Sequence, residues 1–479
     1  MVRKLFVLLL TLLFISCASA PSKQDIETGV TAPTSWQYSS TIAAEIDSAW
    51  WTEFNDPQLN QVLDEAFNKN YDLTIAAANF HSAAAQARIA GAPLYPQANL
   101  SFNGARNKQN FIGFPIPGAG GNVLSSTTTS FGVSMNVSWE LDLWGRLRSD
   151  KAAAVAQLQA THADFIGARL SLAAQASKSW FAAIEAKRQM ELSQATADSW
   201  LTSYERVQRR YENGLTSSLD LRLSRANLSI AEANLSARKS QYENVLRQLE
   251  ILLRRYPSAS MEINRELPET SREVPTGLPA DLVSRRPDLA AAERRLAASY
   301  AGVSGAKAAL LPQISLTSSG GTSSNQLNDL LNGNFSVWSI AGSLLQPIFQ
   351  GGRLRANVDL AKTKTEIALA QYQRALLNAF AEVENALANE KYLNERQVAL
   401  KEATRQSTAA QALAESQYNR GLINFVTMLE TQRAAYDNER QLLTVRRQRL
   451  DARIDLYLAL GGGFTVNKDK QIQDQENPL

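Results

Sequence analysis

The chain has 479 residues, 44% of them hydrophobic, enough for two or three ordinary domains or one large repetitive one. Its formal net charge is only +3, which gives no electrostatic case for nucleic acid. One cysteine excludes an internal disulfide, and the two histidines, His81 and His162, have no cysteine or second histidine at ligand spacing, so no metal site is supported.

Arg3 and Lys4 precede an apolar run from Leu5 to Ile15. A spanning helix needs about 20 apolar residues, so this shorter run suits the core of an export signal. Residues 1–16 are accordingly read as a signal peptide, whose removal leaves 47 basic against 46 acidic residues, 49 less Arg3 and Lys4. Phe14-Ile15-Ser16-Cys17 resembles a bacterial lipobox. That resemblance implies a diacylglyceryl group on the Cys17 sulfur and an N-acyl chain on the residue that becomes the mature N-terminus. One acyl chain anchors weakly and two hold stably. Ala18 follows, not the Asp that in such lipoproteins tends to hold the product at the inner membrane, so the resemblance implies the outer membrane as the address. The bland alternative is an ordinary signal peptide with a chance cysteine. Residues 17–49 form an irregular lead.

From residue 50 the chain follows one plan twice. Gly145-Arg-Leu-Arg148 recurs at Gly352–Arg355, and Tyr211-Glu-Asn-Gly-Leu215 recurs as Tyr418-Asn-Arg-Gly-Leu422, both at an offset of 207. Leu94–Leu100 matches Leu310–Leu316 at an offset of 216, so the first copy is nine residues longer between these elements. A repeat of this kind is one plan duplicated. Residues 50–256 form the first copy and 281–466 the second. Residues 257–280, with prolines at 257, 268, 275 and 279, join them, and a polar tail covers 467–479.

Each copy reads as a short Ala-rich helix, a strand, a loop, a second strand, a very long helix, a tight Gly turn and another long helix. Residues 353–420 contain neither Gly nor Pro, and 146–213 contain only Gly167. The abundant Ala, Leu, Gln, Glu, Arg and Lys are good helix formers. An unbroken helix of that length would be about 100 Å long. The fifteen alanines in 151–200 let helices approach closely. Gly214 and Gly421 stand where each hairpin reverses, since Gly ends a helix in the left-handed conformation without steric cost.

In the strands, Phe131, Val133, Met135, Val137 and Trp139 alternate with Ser130, Gly132, Ser134, Asn136 and Ser138. Ala98, Leu100 and Phe102 alternate with Gln97, Asn99 and Ser101, and Trp338, Ile340 and Leu344 share a face opposite Ser339, Ala341 and Ser343. Such alternation fits barrel strands with one lipid face and one wet face, or a soluble sheet with one exposed face. Four strands cannot close a barrel, and an open edge in lipid is not viable. In a membrane, several chains must therefore share one barrel. "GAGG" at Gly118–Gly121 lacks the Lys of a phosphate loop and reads as a flexible inter-strand loop. No G-x-S-x-G elbow accompanies either histidine, so no enzyme is expected.

Trp50–Leu73, Ser138–Arg148, Leu278–Leu296, Leu310–Leu316, Leu344–Ala356 and Gly421–Arg433 carry motifs similar to those of the TolC-like outer-membrane efflux proteins, lipoprotein branch. The resemblance implies a mainly α fold with a small β part: a homotrimer with a shared twelve-stranded barrel in the outer membrane, continued by a helical barrel in the periplasm. It implies a passive drug-efflux duct, with a periplasmic membrane-fusion adaptor and an inner-membrane proton-driven pump as partners and no cofactor beyond the lipid. It places the periplasmic tips, where the adaptor docks, at Tyr211–Leu219 and Tyr418–Val426. Tyr211, Gly214, Leu215, Tyr418, Gly421, Leu422 and Ile423 are the tip candidates; Leu215, Leu422 and Ile423 would help to close it. Residues 416–429 contain no Asp or Glu, so Arg209 and Arg420 are the expected gate contacts in place of an acidic ring. A type I protein-secretion channel and a structural periplasmic coiled-coil lipoprotein are the alternatives.

Overall fold

The computed structural model describes residues 29–38, 49–112, 123–263, 266–269, 274, 276, 279 and 285–463. Cys17, the signal segment, the Gly118–Gly121 loop and the polar tail lie outside them. Among the described residues, seven α-helices and four strands run in the order α1 Pro57–Lys69, α2 Tyr71–Gly91, β1 Gln97–Phe111, β2 Leu124–Leu141, α3 Arg146–Glu212, α4 Ser218–Leu252, α5 Pro287–Ala308, β3 Gln313–Ser324, β4 Ser336–Leu345, α6 Arg353–Asn419 and α7 Phe425–Ala459. The chain is 69% helical. Both long helices are unbroken at 67 residues, and both return helices have 35. The extra length of the first copy lies in its strands: β1 and β2 have 15 and 18 residues, against 12 and 10 in β3 and β4. A longer connection after β4 offsets part of that difference.

Contacts divide the chain into two compact units, each drawing on both copies. The first combines 80–161 with 292–371; the second combines 28–79, 162–291 and 372–479. The first unit holds the antiparallel sheet, in the order β1-β2-β3-β4. The chain turns from sheet to helix through short polar locks. Asp142 accepts from the backbone N–H of Leu147 at 3.0 Å and of Arg148 at 2.9 Å, capping α3. Arg146 donates to Glu140 at 2.8 Å. The Trp139 indole donates to the Leu94 carbonyl at 3.0 Å, and that of Trp144 to the Pro312 carbonyl at 2.7 Å. The Ser138–Arg148 motif is thus a strand-to-helix joint.

The second unit is helical, and its core explains two further motifs. In Trp50–Leu73, Asp56 caps α1 through Gln58 and Leu59 while also accepting from the buried Trp180 indole at 2.7 Å. Trp50 stacks on Tyr457 at 5.1 Å, and Phe54 meets Phe181 edge-on at 5.0 Å. In the Arg285-Arg286-Pro287-Asp288 stretch, the buried Arg286 guanidinium donates to Asp288 at 2.8 Å, Glu382 at 2.7 Å and the Ala459 carbonyl at 3.0 Å. It closes the C-terminus of α7 and ties α5 to α6. A buried cation so fully partnered is costly to unpair. Gly167, the one glycine inside α3, faces the ring of Pro287.

Candidate functional site

Two places carry functional geometry, one in each unit. The first is the sheet. Its register puts Leu100 opposite Met135, Phe102 opposite Val133, Trp139 opposite Leu316, and Ile314 opposite Leu344. Because side chains alternate along a strand, these residues share one face with Phe131, Trp338 and Ile340. The three second-copy residues read as one face, Trp338, Ile340 and Leu344, do fall together. The other face is mostly Ser, Thr, Asn, Gln and Gly, with Phe111 and Leu124 at its loop end and Val337, Ala341 and Leu345 on β4 as its main apolar members. Ser101 bonds Ser134 at 2.9 Å, Ser315 bonds Ser343 at 2.7 Å, and Ser319 bonds Ser339 at 2.8 Å. β1 and β4 are left as edges with no neighbouring strand among the described residues. All four helix connections leave from one end of the sheet, and both hairpin loops lie at the other. A sheet with one apolar and one hydroxyl-lined face can separate lipid from water once its edges are paired.

The second place is the pair of hairpin tips. Gly214 has φ 71° and Gly421 φ 76°. At the first tip the N–H of Gly214 donates to Tyr211 at 2.9 Å and that of Leu215 to Arg210 at 2.8 Å. The second repeats this, Gly421 to Tyr418 at 3.0 Å and Leu422 to Gln417 at 2.9 Å. These are the paired bonds of a Schellman ending, which satisfies the last helix carbonyls. Each return helix is then capped. Ser217 and Asp220 form a reciprocal capping box, and Asn424 accepts from the Thr427 N–H at 2.8 Å. Of the two carboxylates near the first tip, Glu212 and Asp220, the latter is therefore occupied as a cap and also accepts from the Thr216 hydroxyl at 2.7 Å.

Between the hairpins lies an apolar cluster of Trp200, Val207, Leu228, Tyr418, Phe425, Met428 and Leu429, with Ile423 packed against it. Tyr418 sits 5.7 Å from the Phe425 ring and under the Arg210 guanidinium at 5.2 Å. Burial pushes the Tyr418 hydroxyl above its ordinary pKa, with the nearby Arg210 charge pulling the other way. Leu215 and Leu422 are 66% and 68% exposed at the outermost turns. Tyr211 is exposed, and Ile423 is half-buried.

Arg209 and Arg420 are both exposed. Their side chains make no hydrogen bond or ion pair in the chain among the described residues. Arginines that do bridge the hairpins near the tips include Arg206, donating to Asn419 at 2.9 Å, Arg210, over Tyr418, and Arg433, donating to Asn227 at 2.5 Å. Sequence reasoning missed them, because adjacent arginines on one helix cannot be phased without knowing the partner face. A cavity of 630 Å³ opens above the cluster between α3, α4 and α7, lined by Gln189, Trp200, Asn227, Arg238, Tyr436 and Arg440 among others. Among the described residues no three His, Cys, Asp or Glu side chains gather as a metal site, and no helix is long and apolar enough to cross a membrane.

Comparison with known proteins agrees with this geometry. The family model described as "Outer membrane efflux protein" matches residues 62–253 and 278–462. The chain is 31% identical to the pyoverdine export outer membrane protein OpmQ of Pseudomonas putida, over 97% of this chain and 98% of the relative. It is 32% identical to the outer membrane protein OprJ of Pseudomonas aeruginosa, over 95% of each. The crystal structure of the Campylobacter jejuni CmeC outer membrane channel superposes with a TM-score of 0.86 at 26% identity, covering 96% of this chain and 98% of that one.

Proposed function

The chain belongs to the outer membrane efflux protein family, and on that premise we propose that three copies form one passive duct serving a tripartite efflux system. It has the fold of trimeric TolC-like outer-membrane channels, and it works in the outer membrane as the efflux component. The observation that carries the proposal is the two-faced sheet with two open edges. In lipid, each unpaired backbone group costs several kcal/mol, on the order of a lost hydrogen bond without water in its place. Three copies joined β1 to β4 give twelve strands, no edge, an apolar outside and a hydroxyl-lined bore.

The helical hairpins continue the duct into the periplasm, and their tips meet an adaptor and, beyond it, an inner-membrane pump. Leu215 and Leu422, exposed at the outermost turns, meet their counterparts in the other copies and narrow the opening; an apolar constriction bars ions by dewetting. Arg209 and Arg420, free of partners within the described chain, are available to the neighbouring copy or to the adaptor. The two acyl chains expected on Cys17 add a tether. The duct performs no covalent chemistry, in keeping with a family of channels. The relative OpmQ, a pyoverdine export protein, supports a small molecule as cargo.

The test is conductance together with resistance. Purified protein should open steps in planar bilayers, and deletion of the gene should sensitise the cell to small apolar toxins. A protein that conducts nothing and whose loss leaves every susceptibility unchanged would leave only a structural lipoprotein.

A further inference from the structure

Across the four strands only three side chains carry charge: Arg106, Lys108 and Glu140. Glu140 stands at the helix end of the sheet and is held by Arg146 at 2.8 Å. Arg106 and Lys108 stand at the opposite end, on β1, facing Thr129 and Thr127 of β2. Both continue the apolar face that carries Leu100 and Phe102. Neither side chain makes a hydrogen bond or ion pair among the described residues.

A tilted strand crosses the hydrocarbon in about 9–11 residues. Counted from Gln97, that distance ends beside Arg106, with Lys108 just beyond. A cation on the lipid face is costly at mid-membrane and tolerated at the interface. The pair therefore sits at the boundary of the leaflet away from the helices, two residues apart on one face. A second copy closing the barrel brings no new strand carboxylate, because its four strands are the same. At that end Asp329, in the β3–β4 connection, accepts from Ser324 at 3.4 Å.

We propose that Arg106 and Lys108 bind the phosphate groups of the phosphorylated glycolipid that faces outward in the outer membrane. The Arg106 fork can take two phosphate oxygens, and the Lys108 ammonium adds a point charge beside it. Three copies would place three such sites around the barrel, each continuous with the apolar band that holds the acyl chains. The inference rests on the reading that the apolar face meets lipid, and extends it to one lipid class.

Native mass spectrometry of the full-length protein with bisphosphorylated lipid A tests this. The wild type should keep lipid A through detergent exchange. The Arg106→Gln, Lys108→Gln double variant should bind about thirtyfold more weakly, from roughly one anionic-surface contact per cation. Dephosphorylated lipid A should bind the wild type as weakly, and Asp329→Asn should change nothing. Equal binding by wild type and double variant overturns the proposal. So does equal binding of dephosphorylated lipid A, or equally tight phosphatidylglycerol. Tighter lipid binding by Asp329→Asn would show a neighbouring carboxylate already on the cations, and would overturn it too. Wild-type conductance in planar bilayers tests the channel separately: absence of conductance would reject the duct while leaving the lipid result standing.

Discussion

At the first hairpin tip Tyr211 is 43% exposed; at the second Tyr418, its counterpart 207 residues on, is 5% exposed. The backbones around them are the same, down to the paired hydrogen bonds that end each long helix. What differs is the helix that follows. Ser218, Leu221 and Arg222 in the first copy correspond to Phe425, Met428 and Leu429 in the second. The second set has the spacing of one helix face, and all three residues are buried. The first copy keeps five arginines near its tip, at 206, 209, 210, 222 and 225. The duplicated chain has thus kept its turn chemistry and divided its side-chain labour. Both hairpins feed the apolar cluster, the first through Trp200, Val207 and Leu228, but next to the turn itself the second tip supplies Tyr418, Phe425, Met428 and Leu429, and the first supplies Arg210, which lies over Tyr418.

Substitutions made in pairs test this division, and the largest contrast should come at Phe425. Phe425→Ala empties a fully packed aromatic site and should cost about 3–5 kcal/mol, while Ser218→Ala at the matching exposed position should stay within about 0.5 kcal/mol. Thermal unfolding followed by the helical circular dichroism signal reads both. Tyr418→Ala should likewise cost about 3 kcal/mol and Tyr211→Ala almost nothing. Similar losses for the two tyrosines would mean that the tips are not divided as described.

A third contrast lies further along the return helices, where Asp451 of α7 corresponds to Asn244 of α4. Burial raises the Asp451 carboxyl to about 6, although Arg447 and Lys178 pull it down; Asp455 and Glu185 add to the rise. The folded state therefore holds this proton more tightly than the unfolded chain does. The linked stability is present below the ordinary carboxylate range, near pH 4, and is lost as pH rises through about 6. Asp451→Asn, which copies the first repeat, should flatten that pH dependence and raise stability at pH 8 by up to about 3 kcal/mol. A wild type whose unfolding midpoint is level from pH 4.5 to 7.5 would contradict it.

The smaller effects should be symmetric. Gly214→Ala and Gly421→Ala each force a side chain into the left-handed region, for about 1–2 kcal/mol apiece. Ser217→Ala and Asn424→Ala each remove a cap worth about 1 kcal/mol. Unequal losses within either pair would show that the turns, and not only the side chains, have diverged.

Much of this architecture could be read before any coordinates. The absence of Pro, and of Gly apart from Gly167, marked both long helices to within a residue or two, and Gly214 and Gly421 marked their ends. Period-two alternation identified the faces of β2, and even the irregular Trp338, Ile340 and Leu344 of β4 fell together. The hidden part is the choice between equivalent positions. Tyr211 and Tyr418 occupy matching places in near-identical motifs, so nothing local says which one is buried. That is decided by contact between hairpins far apart in sequence. Arg209 and Arg210 differ by one step, about 100° around the helix, and only the position of Tyr418 selects Arg210. The one usable signal was the Phe425, Met428, Leu429 spacing, which has no apolar equivalent at Ser218.

The shared barrel is the claim on which the others depend, and the mass of the intact complex tests it most directly. Protein extracted from outer membranes and weighed under native conditions should appear as three chains. A stable monomer would contradict the account, because β1 and β4 would then end in lipid with their backbone groups unpaired.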